Sequence, residues 1–375
     1  MGSIVVAAFV VLILFGLILV GIGAYRHSHT LAIAGGAVLM ALGVAWTLGL
    51  PTMHRAIVRA APPMNAWVDS SRHSVRFVEV APDVSLEVLD WGGSGPPLVF
   101  LSGLQDVAHG FDDFAPQFTD QYHVIGITRR GYGASSQSST GYDVATRVAD
   151  VVAVLDTLGL GRVALVGHSI AGDELTGLAV AHPERVSHLI YLDAVYDHSG
   201  ILTLLAGSPP PPPMLAADSA SPAAVQAYLL RSFGMRIPEA QLRAIGRYDA
   251  AGRLTADVTP SLIDSLMLVG VGHPHYAAIQ APALAINSVV DSMPNVFPLW
   301  KDMSPENRAQ ALKFTATLQE WAASRTALAV REFPALQLLQ LHGANHYVFD
   351  SNPAEVTAAM RQFLSGNASQ GRPTS

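Results

Sequence analysis

The sequence predicts an α/β fold in which a doubly wound, mostly parallel eight-stranded sheet carries a helical lid and follows two N-terminal transmembrane helices. Short apolar runs alternate with helix-period segments, which is typical of a parallel sheet covered on both faces. One interval between two of these runs is roughly ninety residues long, far beyond an ordinary connection, and predicts an inserted lid. Two long uncharged stretches at the start of the chain predict the transmembrane helices.

The uncharged stretches cover residues 4–24 and 31–50 of the 375-residue chain. Each is close to the ~20 residues that cross the hydrocarbon core of a bilayer. No A-x-A cleavage pattern follows the first stretch, which argues against a signal peptide. We therefore expect a transmembrane hairpin in residues 1–50, a linker in residues 51–71 and the lipid bilayer as a partner.

The distribution of positive charge favours one orientation of this hairpin. Arg55 and Arg59 follow the second stretch, whereas Arg26 lies between the two. Because positive residues are enriched on the cytoplasmic side of a membrane, the remainder of the chain is expected to face the cytoplasm.

Composition excludes some classes of function. The net charge of -7 offers no basic patch, so no nucleic-acid partner is expected. The chain has no cysteine, which rules out disulfides and leaves the redox compartment open. His273 and His275 stand in a His-Pro-His sequence without acidic or cysteine neighbours, and we expect no metal site there or elsewhere.

The strand pattern divides the rest of the chain. The predicted strands are Val75–Val80, Leu86–Leu89, Pro97–Leu101, His123–Ile127, Val163–Val166, Leu189–Leu192, Ala283–Ile286 and Leu336–Leu341. The predicted helices include Val144–Leu158, Glu174–Ala181, Val225–Phe233, Leu262–Val271, Pro305–Val330 with Ser304 as N-cap, and Ala354–Leu364. The core is expected to comprise residues 72–193 and 282–366, with the helical lid at 194–281 and a disordered tail at 367–375.

A serine stands on a sharp turn between a predicted strand and a helix-like run. Residues Gly167–Gly172 read Gly-His-Ser-Ile-Ala-Gly, a near match to G-x-S-x-G in which Ala171 takes the fifth position. Such a turn pushes the serine hydroxyl out of the backbone, so Ser169 is the candidate nucleophile.

A serine nucleophile needs a histidine base that is oriented by a carboxylate. His346 follows the last predicted strand, where the loop opens at the carboxyl edge of the sheet beside Ser169, with His342 as second choice. Asp291 follows strand Ala283–Ile286 and gives the order Ser, Asp, His along the chain, so it is favoured as the acid. Asp193, at the end of the preceding strand, is the alternative.

The developing oxyanion needs hydrogen-bond donors. The backbone N–H of Ile170, next to the nucleophile, is one candidate. The other is the N–H of Leu104, in the loop that follows strand Pro97–Leu101, where Gly103 permits a close approach.

Together these motifs resemble the lid-bearing branch of the α/β-hydrolase superfamily over approximately residues 75–366. The residues that carry the resemblance are Arg130–Ser135, Gly167–Gly172, His182–Val186 and Gly343–His346. The resemblance implies Ser169 as nucleophile, His346 as base, Asp291 as acid, and Leu104 and Ile170 as oxyanion donors. The chain departs from the family at Ser102, where a histidine usually supports the oxyanion loop. Relatives that open epoxides or remove halides have Asp in place of Ser169.

The function predicted is that of a membrane-anchored serine hydrolase that cleaves an ester or related acyl compound through an acyl-enzyme and without a cofactor. The membrane hairpin and the apolar lid favour a lipophilic small molecule as substrate. The same three residues can also serve on an amide or a C–C bond, or in acyl transfer. A different class of function is that of a non-catalytic sensor that keeps the fold and binds a small molecule under the lid.

Overall fold

The computed structural model describes residues 67–366. The strands are β1 (Ser74–Ala81), β2 (Val84–Gly92), β3 (Pro97–Leu101), β4 (His123–Ile127), β5 (Val163–His168), β6 (Val186–Leu192), β7 (Gly246–Tyr248), β8 (Leu254–Asp257), β9 (Ala283–Val289) and β10 (Leu336–His342). The α-helices are α1 (Val144–Thr157), α2 (Ala171–Ala181), α3 (Ile201–Leu205), α4 (Pro222–Phe233), α5 (Glu239–Ile245), α6 (Ser261–Val269), α7 (Met293–Val296), α8 (Pro305–Glu332), α9 (Val348–Ser351) and α10 (Pro353–Leu364).

The central sheet has eight strands in the order β1-β2-β4-β3-β5-β6-β9-β10. The β1–β2 and β2–β4 pairs are antiparallel, and every later pair is parallel. The predicted mostly parallel, eight-stranded sheet is thereby confirmed. The carboxyl ends of β3, β5, β6, β9 and β10 all lie at one edge of this sheet, as strands that run in the same direction must.

The two faces of the sheet bury two separate apolar clusters because side chains alternate along each strand. Val99, Val163 and Ala283 face the cluster that α1 and α2 cover. Leu98 faces the opposite cluster, which contains the aromatic residues of two short 3-10 helices, Ala108–Phe111 and Ala115–Phe118, and residues of α10. Strands buried on both faces explain why the sequence runs here are apolar without alternation.

Residues 193–282 form a long insertion between β6 and β9, as the interval predicted. The insertion is not purely helical, since β7 and β8 form an antiparallel hairpin beside its four helices. A tight turn makes the hairpin possible: the N–H of Asp249 bonds to the carbonyl of Arg253, and Gly252 has a φ of +80°. This left-handed backbone favours glycine.

The predicted transmembrane hairpin in residues 1–50, most of the linker and the tail at 367–375 lie outside the described residues. Within residues 67–366, no helix combines the length and the apolar character that a bilayer crossing requires.

Candidate active site

Ser169 occupies a strained turn between β5 and α2. Its φ of +55° is rare for a residue other than glycine. The turn fits because its neighbours are small: a Cβ on Gly172 would lie 1.9 Å from the carbonyl oxygen of Ala194. The glycine that this turn requires is therefore Gly172, whereas Ala171 is accommodated in full burial. Ser169 stands on the sharp strand-to-helix turn that the sequence predicted, where it is half-buried and lines a cavity.

Two backbone N–H groups lie free beside this turn. Within residues 67–366 neither the N–H of Ile170 nor that of Leu104 has a hydrogen-bond acceptor, and both residues line the same cavity as Ser169. Gly103, next to Leu104, is packed so closely that a Cβ would lie 2.7 Å from the His168 ring. The two predicted donors thus border the same cavity as the serine.

Arg129 holds the loop that carries Leu104. Its guanidinium donates to the carbonyl oxygen of Ser102 at 2.8 Å and to that of Gly103 at 3.1 Å. The buried carboxylate of Glu174, on α2, pairs with the same guanidinium. This arginine supports the loop from the β4 side, so the loop keeps a fixed shape although Ser102 stands where a histidine was expected.

His346 pairs with Asp193. The His346 Nδ1 lies 2.7 Å from Asp193 Oδ2. The carboxylate of Asp193 also accepts hydrogen bonds from the Tyr196 hydroxyl and from the backbone N–H and hydroxyl of Ser288. Asp193 is only 4% exposed, so these four donors replace the water that its charge has lost.

Asp291, the favoured acid, does not reach His346, and this part of the prediction is wrong. Its carboxylate instead lies 3.0 Å from Nδ1 of His342 and accepts a hydrogen bond from the N–H of Gly343. Strand β9 continues to Val289, three residues beyond its predicted end, and carries Asp291 past the site. The pairing of β6 with β9 ends at Leu192 and Ile286. Asp193 follows Leu192 directly, so it lies closer to His346 than Asp291 does.

The serine, the histidine and the buried aspartate border one cavity of about 430 Å³. Its walls are largely hydrocarbon and come from the insertion and from α8. The apolar wall residues include Leu204, Phe233 and Met235 of the insertion and Phe314, Leu318 and Trp321 of α8. Such a cavity can hold a small, mostly apolar molecule against the polar groups of Ser169 and His346.

The chain is similar to known α/β hydrolases. A family model described as alpha/beta hydrolase fold matches residues 96–237. The solved structure of an (E)-2-(acetamidomethylene)succinate hydrolase has a TM-score of 0.58 to this chain at 20% identity, and the likeness covers 78% of this chain and 99% of that one. The chain has the α/β-hydrolase fold. The eight-stranded sheet and these likenesses agree on this point.

Curated relatives match a shorter part of the chain. A non-heme chloroperoxidase of Streptomyces lividans is 39% identical over 109 residues, 28% of this chain and 40% of that protein. A fluoroacetate dehalogenase of a Burkholderia species is 34% identical over 125 residues, 32% of this chain and 40% of that protein. The chain thus spans two fifths of the length of each. Both relatives bear the names of enzymes, which supports the predicted α/β-hydrolase type of enzyme.

A second polar cluster lies beneath the site, and sequence reasoning missed it. The buried ring of His168 lies 4.7 Å from the His346 ring, and its Nε2 donates to the backbone carbonyl of His346 at 3.1 Å. Asp106, 3.6 Å from His168 Nδ1, accepts hydrogen bonds from Gln241 and Tyr347. These contacts fix the loop of His346 and tie the insertion to the loop of Leu104.

The pKa values of the ionisable side chains in the site are shifted in different directions. Burial lowers the pKa of His346, but the hydrogen bond and the charge of Asp193 outweigh it, so the pKa is raised above its usual value. Burial raises the pKa of Asp193, yet the bond to His346 and its other hydrogen bonds hold that pKa below the usual range. Burial lowers the pKa of His168, so this ring is neutral near pH 7.

Proposed function

We propose that the protein is a serine hydrolase that cleaves an ester or related acyl group of a small, largely apolar molecule through an acyl-enzyme. The observation that carries the proposal is the 2.7 Å pair of His346 and Asp193 beside a serine on a strained turn, all three bordering one cavity. In this proposal the acid is Asp193 in place of Asp291.

The first half of the reaction follows from the contacts of His346. Because Asp193 engages Nδ1, Nε2 is the nitrogen left to take the proton of the Ser169 hydroxyl. The serine oxygen then bonds to the acyl carbon, and the carbonyl electron pair moves onto oxygen. The N–H groups of Ile170 and Leu104 stabilise this oxyanion, each worth about 3 kcal/mol in comparable sites.

The second half releases the two products. The oxyanion collapses, the bond to the leaving group breaks, and His346 returns its proton to that group. A water molecule, deprotonated by the same histidine, attacks the acyl-serine and regenerates the Ser169 hydroxyl. The two relatives named above comprise a chloroperoxidase and a dehalogenase. The resemblance noted for the sequence has Asp as nucleophile in enzymes that remove halides, and Ser169 favours acyl chemistry over that reaction.

Covalent labelling tests the proposal. We expect a fluorophosphonate probe to label the intact protein and the Asp291→Asn variant, and Ser169→Ala to lose the label. Hydrolysis of p-nitrophenyl esters of increasing acyl length would then measure which chain the cavity accepts.

Labelling that is absent from the wild-type protein would reject the hydrolase in favour of a non-catalytic sensor with the same fold. Labelling without ester hydrolysis would favour the same residues acting on an amide or a C–C bond or in acyl transfer. The membrane anchor in residues 1–50 and the cytoplasmic location of the domain stay predictions.

A further inference from the structure

Two histidines and two aspartates that do not line the cavity of Ser169 gather around the segment that leads into β1. Asp69 and His73 come from that segment, whereas His109 and Asp112 come from the 3-10 helix Ala108–Phe111 and the residue that ends it. One nitrogen or oxygen atom of each residue lies within 4.8 Å of the others. We propose that this four-residue cluster binds one divalent transition-metal ion, Zn²⁺ in particular.

The spacing of the candidate ligand atoms fits a tetrahedral ion. Ligands about 2.0 Å from zinc stand about 3.3 Å apart in a regular tetrahedron. In the cluster, His109 Nδ1 lies 2.9 Å from an Asp112 oxygen and 3.6 Å from Asp69 Oδ2. His73 lies 3.0 Å from Asp112 and 3.5 Å from Asp69 through its two ring nitrogens. An imidazole binds one ion through one nitrogen. With Nδ1 as the His73 ligand, its 3.0 Å to Asp112 Oδ1 and the 3.6 Å from His109 Nδ1 to Asp69 Oδ2 bracket the tetrahedral value, and the contact of His73 Nε2 with Asp69 gives way.

Further contacts orient the cluster from outside. The N–H of Ser71 donates to Asp69 Oδ1, which leaves Oδ2 to face both histidines. The indole N–H of Trp91 donates to Asp112 Oδ1, and the carboxylate of Glu87 lies 3.7 Å from His109 Nε2. Carboxylates behind ligating imidazoles and donors behind ligating carboxylates are the usual surroundings of a metal site.

An unmet polar atom points to a missing partner. The side chain of His73 is 3% accessible, and its Nδ1 makes no hydrogen bond although Asp112 Oδ1 is 3.0 Å away. Buried polar atoms normally have a partner. The three carboxylates of Asp69, Asp112 and Glu87 also surround only two imidazoles, so a cation would compensate their excess negative charge.

The donor set and its position define the kind of site. Two imidazole nitrogens and two carboxylate oxygens suit zinc. Because four protein groups already surround the centre, no position is reserved for a substrate, and the role is structural. Such an ion would fasten residues 69–73 to the helix at 108–111. The sequence suggested no metal here because its two halves lie more than thirty residues apart.

Metal content tests the site. Full-length protein is loaded with ZnCl₂, dialysed against metal-free buffer and analysed for zinc by mass spectrometry. We expect one zinc per chain in the wild-type protein and in the control His342→Ala, which removes an imidazole from the exposed pair with Asp291. We expect His109→Ala and Asp69→Asn to lose that zinc.

Thermal unfolding gives an independent measurement. Zinc should raise the Tm of the wild-type and His342→Ala proteins, because an ion that binds only the folded state stabilises it, and it should leave the Tm of Asp69→Asn unchanged. Asp69 lies outside the sheet, so Asp69→Asn is expected to fold. It therefore tests the zinc site even if His109→Ala does not fold. A wild-type protein without zinc, or equal zinc in wild type and Asp69→Asn, would show that the four side chains only hydrogen-bond to one another.

Discussion

Two His–Asp pairs stand at the carboxyl edge of the sheet, and the sequence alone offered all four residues as candidates, with His346 and Asp291 favoured. His346 and Asp193 lie 2.7 Å apart, whereas His342 and Asp291 lie 3.0 Å apart. The distances are similar, but the surroundings are not. The side chain of Asp193 is 6% exposed, and that of Asp291 is 35% exposed.

This difference shows that a short His–Asp distance does not by itself make a functional pair. Water competes for the exposed carboxylate of Asp291, so its bond with His342 has little strength and little fixed direction. The buried carboxylate of Asp193 is shielded from water and accepts four hydrogen bonds instead. These bonds stabilise its negative charge and orient the His346 ring. The pair with the buried carboxylate borders the cavity with Ser169, whereas neither His342 nor Asp291 lines that cavity.

The largest expected difference between the pairs is in catalysis. Asp193→Asn should lower kcat for a p-nitrophenyl ester by about 10⁴-fold, because an amide cannot hold His346 in the tautomer that leaves Nε2 as the base. Asp291→Asn should leave kcat unchanged. Steady-state kinetics on the two folded variants measures this, and similar losses in both would remove the distinction between the pairs.

A smaller difference is expected in stability. Tyr196→Phe removes a buried donor from the Asp193 carboxylate and should lower the free energy of unfolding by about 1.5–3 kcal/mol, which is typical of a hydrogen bond to a charged group. His342→Ala should leave the unfolding midpoint unchanged because its pair is exposed. Urea denaturation followed by circular dichroism compares them, and an unchanged midpoint for Tyr196→Phe would contradict the role given to the buried donors.

The smallest effect is a shift in pH dependence. His346 must be neutral to accept the serine proton, so kcat/KM should fall as the pH drops through the pKa of this histidine. Because that pKa is raised, the midpoint should lie above the ordinary value of 6.5. Any residual activity of Asp193→Asn should have its midpoint at lower pH, since the charge that favours the protonated ring is gone. A midpoint below 6.5 in the wild type would show that burial dominates.

Much of the sheet could be predicted because its strands are continuous apolar runs bounded by turn residues. Strands Pro97–Leu101 and His123–Ile127 have the predicted bounds, and Ser304 caps α8 through the N–H of Asn307. Ser169 was recognisable because its turn demands small neighbours, which are visible as Gly167, Ala171 and Gly172. Patterns of this kind involve residues that are adjacent in the sequence, so the sequence alone reveals them.

The choice of acid was not local. It depends on how far β9 extends and on its register with β6, which no residue near Asp291 encodes. The cluster of Asp106, His168 and Gln241 joins three segments that are distant in the sequence. No residue adjacent to His168 in the sequence indicates that its ring is buried beside His346. Burial in this case comes from tertiary packing, which a single sequence does not display.

The position of Asp193 also matters for engineering. Asp193 is the first residue of the insertion, and the residues that follow it still serve the site: Tyr196 bonds to Asp193, and His198 bonds to Asp173 of α2. A chimera that exchanges the insertion for another should therefore be joined after His198, so that the exchange alters the walls of the cavity and keeps the support of the acid. In this chain a few residues at the start of the insertion belong both to the cavity wall and to the support of the acid, and a recombined protein must keep them.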